Sequence, residues 1–373
     1  MPIPLFSKRS AWNQRADAAA VLPESRIQMQ ALHRAMRAIL GDWSGMTLNI
    51  DDYAIPIFCT DSRKRARVVL CDYEGQETWY NEKWTGTAAA GLGETLDVPQ
   101  PLGRVRPAGP TGTESDGHLV LYDPGTRVSY EFWQATTRRG GRCRSAGGGY
   151  SGQRISEAGA VDFFDVTGSG TNAPLPLSSA RATGVSLLAG LLLPEDVATG
   201  EIRHALAVAI PKPRNTAPDP EEPRRRDIIY PAAWPETDSY STNPRALAPG
   251  QRIRLSATLR DDEGEIIDET RLAPITRIFL RALRRYGAYV VDHADGFVFY
   301  AEDIQTGSLP VSKAEVRRLI GATAQTNSGA SKDNWAQVVR VLASELDAIP
   351  VTIGEASMTW SNFVVVEPAE RRP

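Results

Sequence analysis

The side chains best suited to chemistry lie on two alternating runs of sequence that flank the turn Asp123-Pro124-Gly125-Thr126. Alternation of apolar and polar residues predicts a β-hairpin, and proline followed by glycine favours a tight turn between its strands. A hairpin that is symmetric about the middle of this turn places His118 opposite Glu131. Since strand side chains alternate between two faces, this register separates an apolar face from a polar one. The polar face carries Asp116, His118, Val120, Tyr122, Arg127, Ser129, Glu131 and Trp133.

Two carboxylates, an imidazole and an indole on one sheet face predict a carbohydrate site. Glycoside hydrolysis needs an acid together with a base or nucleophile, and both groups are usually carboxylates. We therefore expect Glu131 to be one catalytic carboxylate and Asp116 or Glu201 to be the other. His118 would tune this pair, because a neighbouring charge shifts the pKa of a carboxyl group. Trp133 would stack on the apolar face of a sugar ring.

Further candidates for substrate binding are Tyr122 and Arg127 on the polar face, and Trp234 in the proline-rich segment 211–250. The structural alternative is that the polar face is an ordinary solvent-exposed surface. In that case His118 and Glu131 form a cross-strand pair that contributes about 0.2–1 kcal/mol to stability.

The sequence Glu201-Ile202-Arg203-His204 is an E-x-x-H motif, whose spacing places both side chains on one face of a helix. Together with Asp116 and His118 it would suggest a zinc site with Glu201 as the base. However, the motif straddles a predicted helix end and a predicted strand start, which favours a hydrogen-bonding role for His204. A role beside His118 in the catalytic site is the other alternative. The sequence therefore predicts neither a metal nor another cofactor.

Composition narrows the class of protein. The 373 residues carry a net charge of −3, and 42% of them are hydrophobic. Phosphate binding needs a basic surface, so this charge argues against nucleic acid as a partner. No stretch approaches the roughly 18 apolar residues of a membrane-spanning helix. We therefore expect a soluble protein without a membrane span, and the oligomeric state stays open.

Hydrophobic periodicity predicts helices over 24–40, 274–287, 312–321 and 333–347, and a single helical turn over 193–200. Strands are expected over 204–210, 252–259 and 362–366, and a hairpin over 288–300. Short alternating runs fill most of 46–150. This pattern predicts a mostly-β protein, a jelly-roll-like antiparallel β-sandwich with a few peripheral α-helices.

Three segments are expected along the chain. Residues 1–45 form an N-terminal segment with one helix that packs on the core, and residues 46–300 form the β-sandwich core. Within that core, residues 211–250 form a proline-rich flap, since an irregular stretch this long in a compact domain is usually functional or disordered. Residues 301–373 form a helical C-terminal extension with a final strand.

Several stretches resemble a broad group of mostly uncharacterised, usually secreted bacterial proteins with jelly-roll carbohydrate-active folds. The matching stretches are SAWNQ at 10–14, SDGH at 115–118, YEFW at 130–133, GEIRHAL at 200–206 and ALRRYG at 282–287. The resemblance implies a compact β-sandwich that acts on polysaccharide or oligosaccharide. Its shared motifs contain Asp116, His118, Glu131, Glu201 and His204.

The leading hypothesis is a glycoside hydrolase that degrades polysaccharide with a carboxylate pair on a sheet face. A polysaccharide lyase that uses His118 and a tyrosine, and a zinc-dependent peptidoglycan hydrolase, are alternatives of the same kind. A non-catalytic module that binds glycan in a virion or tail is an alternative from another class. The N-terminus lacks the basic and apolar regions of a secretory signal. A cytoplasmic or virion-associated location is therefore expected, with extracellular action after lysis or through signal-independent export.

Overall fold

The computed structural model describes residues 6–70, 95–109, 116–137, 155–171, 180–216, 227–236, 239–321, 331–353 and 360–369. In these residues two six-stranded β-sheets pack against each other, and helices cover the outer face of one sheet. The prediction of a mostly-β, sandwich-like protein with a few helices is confirmed at this level. The more specific jelly-roll arrangement stays a prediction.

The helices follow the predicted amphipathic segments closely. They are α1 (Ser25–Leu40), α2 (Pro194–Thr199), α3 (Pro274–Arg285), α4 (Lys313–Ile320) and α5 (Ser331–Asp347). Two of them begin at residues that the sequence favours there: Pro274 opens α3, and Ser312 caps α4 with Glu315 in a capping box.

The strands are β1 (Met46–Asn49), β2 (Ile57–Leu70), β3 (Thr95–Pro101), β4 (Leu119–Asp123), β5 (Val128–Trp133), β6 (Glu157–Ala158), β7 (Ala160–Asp165), β8 (Leu206–Ile210), β9 (Arg252–Leu255), β10 (Ala288–His293), β11 (Phe297–Tyr300), β12 (Thr352–Ile353), β13 (Trp360–Ser361) and β14 (Phe363–Val365). Sheet I has the order β1-β11-β8-β10-β9-β14. Sheet II has the order β3-β2-β4-β5-β7, with β6 paired to β2. Strands β12 and β13 form a separate two-stranded ribbon.

Both sheets are mixed, so the expectation of a purely antiparallel sandwich is wrong. In sheet I, β1 pairs in parallel with β11 and β8 pairs in parallel with β10. In sheet II, β2 is parallel to β4 and to β6. Parallel neighbours need long connections, and local alternation along the sequence does not reveal them.

The two faces of β8 show how the layers are built. Leu206, Val208 and Ile210 face the core beneath the helices, where α1, α3 and α5 bury their apolar stripes. Ala207 and Ala209 face sheet II. Their small side chains let the segment 187–193 approach closely, and the Ala207 backbone N–H donates to the Gly190 carbonyl at 2.9 Å. This segment fills the space between the two sheets.

The predicted hairpin over 288–300 is wrong, although both of its strands exist. Strands β10 and β11 do not pair with each other, because β8 lies between them, parallel to β10 and antiparallel to β11. The connection at 294–296 therefore passes over the end of β8. A short connection between two alternating runs resembles a hairpin in sequence even when a third strand is inserted between them.

The segment after residue 300 is built into sheet I. Strand β14 pairs with β9, and the apolar sides of α4 and α5 enter the same core as α1 and α3. Residues after 300 therefore share one core with earlier elements, and the division of the chain at residue 300 stays a prediction. Among the described helices, none combines the length and the apolar character that crossing a membrane requires.

Candidate functional site

The predicted β4–β5 hairpin exists, but its register differs from the predicted one by two residues. Val120 lies opposite Glu131, and Asp123 lies opposite Val128. The loop is longer than expected because Arg127 takes a left-handed conformation with φ of 59°, and the Asp123 carboxylate accepts a hydrogen bond from the Gly125 backbone N–H at 2.9 Å. A shift of two residues leaves every side chain on its predicted face, because the strand period is two.

The prediction that the polar face is open to solvent or substrate is wrong for most of its length. Sheet II is covered on both sides, and the polar face lies between the two sheets. There His118 is 3% exposed, Tyr122 is 4% exposed and Glu131 is fully buried. Trp133 is half-buried against the inter-sheet core, while Arg127 is exposed in the turn.

Glu131 links sheet II to the segment that fills the inter-sheet space. Its carboxylate accepts hydrogen bonds from the hydroxyls of Ser129 at 2.8 Å and Ser186 at 2.6 Å, and from the Leu187 backbone N–H. Burial raises the pKa of Glu131, and these three donors oppose that rise. A carboxylate with this environment holds segment 186–187 in place, and its predicted catalytic role stays a prediction.

A second group of polar side chains gathers between the sheets around Arg181. We call it the inter-sheet polar cluster, and its members are Asp116, His118, Arg181, Glu236, Asp292, His293 and Tyr300. They come from five separate segments of the chain and influence one another electrostatically.

Arg181 is the positive centre of this cluster, with a side chain only 1% exposed. Its Nε lies 3.9 Å from a carboxylate oxygen of Asp292, and its guanidinium carbon lies 4.7 Å from the centre of the Tyr300 ring. One terminal nitrogen donates to the Ser186 carbonyl at 3.0 Å. The guanidinium is therefore fixed in orientation by two strands of sheet I and by the segment between the sheets.

Asp292 reaches the cluster because of a β-bulge. The parallel pairing of β10 with β8 shifts between Val290 and Asp292, so that Asp292 lies beside Ala209. In a regular strand Asp292 would point to the helix side with Val290, whereas the bulge turns it to the inter-sheet side, where Ala209 also points. Burial, followed by the charge of Glu236, raises the pKa of Asp292 to about 7.

Glu236 comes from the predicted flap. Its side chain is 1% exposed, and one carboxylate oxygen lies 3.0 Å from Nδ1 of His293, whose side chain is 39% exposed. Candidate ligand atoms of Glu236, Asp292 and His293 all lie within 4.8 Å of one another, so these three side chains could hold a cation. The half-exposed His293 marks where the cluster opens towards solvent.

The described part of segment 211–250 is held by hydrogen bonds, and it places the Glu236 side chain beside His293. The Asn215 side-chain amide donates to the Glu236 carbonyl at 2.8 Å, and the Gly250 backbone N–H donates to the Val290 carbonyl at 2.7 Å. Trp234 is half-buried and lies against Gly184, three residues after Arg181. The predicted flap thus borders the inter-sheet polar cluster.

Asp116 and His118 reach the cluster from the end of β4. The Nε2–H of His118 donates to the Ala180 carbonyl at 3.2 Å, and its Nδ1 has no hydrogen-bond partner among the described residues. Burial lowers the pKa of His118, and the charge of the half-buried Asp116 opposes this effect. The imidazole is therefore neutral near pH 7 and offers a free nitrogen lone pair.

The E-x-x-H residues lie elsewhere. Glu201 is paired with Arg203 at 2.8 Å and with Arg285, and these cations lower its pKa. His204 is buried, with Nε2 3.2 Å from the Asp196 carboxylate and Nδ1 2.9 Å from the Ala205 carbonyl. Among the described residues, Glu201 and His204 do not join Asp116 and His118 in a group that could hold a metal ion, and both nitrogens of His204 are engaged, so the zinc site considered from the sequence does not form.

The sequence patterns do not single out Arg181, Glu236, Asp292 or Tyr300. Arg181 stands just before the most apolar stretch of the chain, and a charged residue in such a position is a weak signal of a buried ion. Nothing in the local pattern points to Glu236, since only the course of the flap brings it to β10.

No protein-family model, no curated protein and no solved structure matches this chain at a significant level.

Proposed function

We propose that the protein is a polysaccharide-active enzyme, a glycoside hydrolase whose acid–base carboxylates are Asp292 and Glu236. The observation that carries the proposal is their approach: one oxygen of each carboxylate lies within 4.8 Å of the other, beside the buried guanidinium of Arg181. Two carboxylates at this distance, next to the half-exposed His293, are the group that glycoside hydrolysis requires.

The two carboxylates differ in environment, which suits different roles. Asp292 is protonated in part near neutral pH, so it can donate a proton to the leaving oxygen. Glu236, held by His293, would act as the nucleophile or base. The two nearest oxygens lie within 4.8 Å of each other, which is below the roughly 6.5–9.5 Å separation of inverting enzymes and favours the retaining outcome.

Aromatic side chains near the cluster offer surfaces for a sugar ring. Trp234 lies two residues before Glu236 and is half-buried. Trp133 is also half-buried on the inter-sheet side of sheet II. In this proposal the sugar stacks on Trp234 and the glycosidic bond lies between Asp292 and Glu236.

The test is a panel of polysaccharides assayed for new reducing ends and for unsaturated products. We expect Asp292→Asn and Glu236→Gln to reduce the rate by about 10²–10⁴-fold, the usual effect of removing an acid or base. Asp295→Asn is the matched control, because Asp295 is exposed in the loop that follows Asp292. Activity that survives both substitutions would remove this pair from the mechanism.

Other outcomes of the same panel identify the alternatives. Unsaturated products would support the lyase. Retained glycan binding without any cleavage would support the non-catalytic module.

A cation-dependent hydrolase is the second candidate, because Glu236, Asp292 and His293 could hold a metal ion. Calorimetric titration of the protein with Zn²⁺ and Ca²⁺, and assays with and without a chelator, separate the two candidates. The proposed glycoside hydrolase keeps its full rate in the chelator. A rate that vanishes in the chelator and returns with one cation would favour the second candidate.

A further inference from the structure

A groove with a basic rim lies on the outer surface of the helical layer, between α2, α3 and α4. Its volume is about 770 Å³, within the usual range of ligand sites. Four arginines and two glutamates line it, namely Arg277, Arg281, Arg284, Arg318, Glu269 and Glu315. We call it the arginine groove. The helical core separates it from the inter-sheet polar cluster, which lies on the opposite side of sheet I.

The two glutamates of the groove, Glu269 and Glu315, already accept hydrogen bonds from other residues of the protein. Arg284 binds Glu269 through two hydrogen bonds, one of 2.8 Å and one of 2.5 Å. Glu315 accepts two hydrogen bonds of 2.8 Å from Ser312 and caps α4. These contacts use both carboxylates and one of the four guanidinium groups.

The other three arginines, Arg277, Arg281 and Arg318, have no carboxylate within ion-pair distance among the described residues. Glu201 and Glu315 act on Arg281 and Arg318 only through longer-range electrostatic attraction. Arg277 and Arg281 are one helical turn apart on α3, and Arg318 faces them from α4. Like charges at this spacing destabilise a helix. An anion between the three guanidinium groups would relieve that repulsion.

The overall charge of the chain is −3, so the concentration of arginine in the groove does not reflect a basic protein. The floor between the arginines is apolar and includes Val197, Ile278 and Leu319. Such a surface suits an extended ligand that carries several anionic groups on a partly apolar framework. Guanidinium groups bind carboxylates and sulfates through paired hydrogen bonds, which lysine cannot reproduce.

We propose that the arginine groove binds an acidic oligosaccharide, a sugar chain with carboxylate or sulfate groups, at a site separate from the inter-sheet polar cluster. The choice of a sugar chain as the carrier of the anions rests on the proposed function. The groove would hold an acidic polymer while another part of the same polymer, or another chain, reaches the cluster.

The binding test uses calorimetry with an oligogalacturonate, a heparin-derived oligosaccharide and neutral maltohexaose as the uncharged control. We expect the acidic sugars to bind, maltohexaose not to bind, and the affinity to fall as salt screens the charges. Arg277→Ala combined with Arg281→Ala, and separately Arg318→Ala, should each weaken binding at least about tenfold through loss of charge-assisted hydrogen bonds. The two acidic sugars distinguish carboxylate from sulfate as the preferred anion.

Arg317→Ala is the matched control, because Arg317 is exposed on the same helix but does not line the groove. Arg281→Lys keeps the charge without the paired hydrogen bonds and should give an intermediate affinity. Equal weakening by Arg317→Ala, or equal binding of maltohexaose, would overturn the proposal. Tighter binding of a single-stranded oligonucleotide, or saturation by inorganic phosphate alone, would also overturn it.

The binding test does not depend on cleavage. Asp292→Asn should bind the acidic sugars as the unmodified protein does, because the cluster is remote from the groove. Loss of activity with binding retained would therefore support both proposals. Binding without activity in the unmodified protein would leave the groove in place and refute the hydrolase.

Discussion

Glu131 and Asp292 are both buried between the sheets, and their surroundings give them different properties. Glu131 accepts hydrogen bonds from three donors and is fully buried, whereas Asp292 has a side chain 16% exposed and lies near a second carboxylate. The first environment holds a carboxylate rigidly. The second environment raises the pKa of Asp292 to about 7, so this carboxyl group can gain and lose a proton near neutral pH. For this reason we propose Asp292 as the acid of the reaction.

Glu131→Ala tests the structural role of the first carboxylate. It leaves the hydroxyls of Ser129 and Ser186 and the Leu187 backbone N–H without their acceptor, so we expect the free energy of unfolding to fall by about 2–4 kcal/mol. Denaturation by urea measures this fall, and Ser129→Ala should cost less because it removes one donor. Unchanged stability together with lost activity would restore Glu131 to the catalytic role that the sequence suggested.

The pair formed by His204 and Asp196 predicts a pH dependence of stability. Burial alone would lower the pKa of His204, but the charge and hydrogen bond of Asp196 outweigh it and raise the pKa above 6.5. The folded state then binds the proton more tightly than the unfolded state. The pair therefore stabilises the protein fully below pH 6.5, and this contribution is lost as pH rises through the folded pKa.

Asp196→Asn checks this dependence, because asparagine can still accept the hydrogen bond from the Leu193 backbone N–H that begins α2. We expect the variant to be less stable than the unmodified protein at pH 6 and to approach it at pH 9. Thermal unfolding across this range measures the difference. A deficit that is constant with pH would mean that His204 is neutral in the folded protein.

At the scale of elements, the close approach of segment 187–193 to β8 decides how the two sheets meet. Gly190 has φ of 71°, and a Cβ added there would lie 2.3 Å from the Ala207 backbone nitrogen. Two alanines on β8 and one glycine in the facing segment thus set the spacing of this layer. The bulge in β10 is a second local feature that shapes this region, since it turns the Asp292 side chain into the space between the two sheets.

Gly190→Ala should therefore be severely destabilising, by more than about 3 kcal/mol, since backbone atoms must move in addition to the cost of the left-handed conformation. Gly200→Ala is the matched control. Gly200 has φ of 74° and nothing within 4 Å of an added Cβ, so its substitution should cost only about 1–2 kcal/mol. Equal losses in urea denaturation would show that conformation rather than crowding sets the cost at Gly190.

At the scale of the whole molecule, sheet I is assembled from distant parts of the chain. Strand β1 lies at one edge and β14 at the other, and the core beneath them takes side chains from α1, α3, α4 and α5. This arrangement makes the C-terminal segment a structural part of the sheet. Removal of that segment would expose the edge of β9 and the apolar surface that α5 covers.

A chain shortened to residues 1–300 tests this point. We expect it to lose cooperative thermal unfolding, because it lacks β14 and two of the helices that bury the core of sheet I. Circular dichroism and calorimetry provide the measurement. Cooperative unfolding with an unchanged enthalpy would support the division at residue 300 that the sequence suggested.

Local patterns in the sequence determined the helices and the face to which each residue of the β4–β5 hairpin belongs. Periods of 3.6 and of two residues are properties of neighbouring positions, so they can be read from the chain itself. The hairpin register was off by two residues because the conformation of Arg127 lengthened the turn. Each residue is nevertheless assigned to the correct face, because a shift of two residues does not move a strand side chain to the other face.

Only the tertiary structure decided that both faces of the hairpin are buried, that β8 separates β10 from β11, and that the inter-sheet polar cluster exists. Arg181, Glu236 and Asp292 are separated by more than fifty residues from one to the next. They meet because a flap, a bulge and a filling segment converge between two sheets. No local period encodes such a meeting, since it depends on contacts that form only when the whole chain has packed.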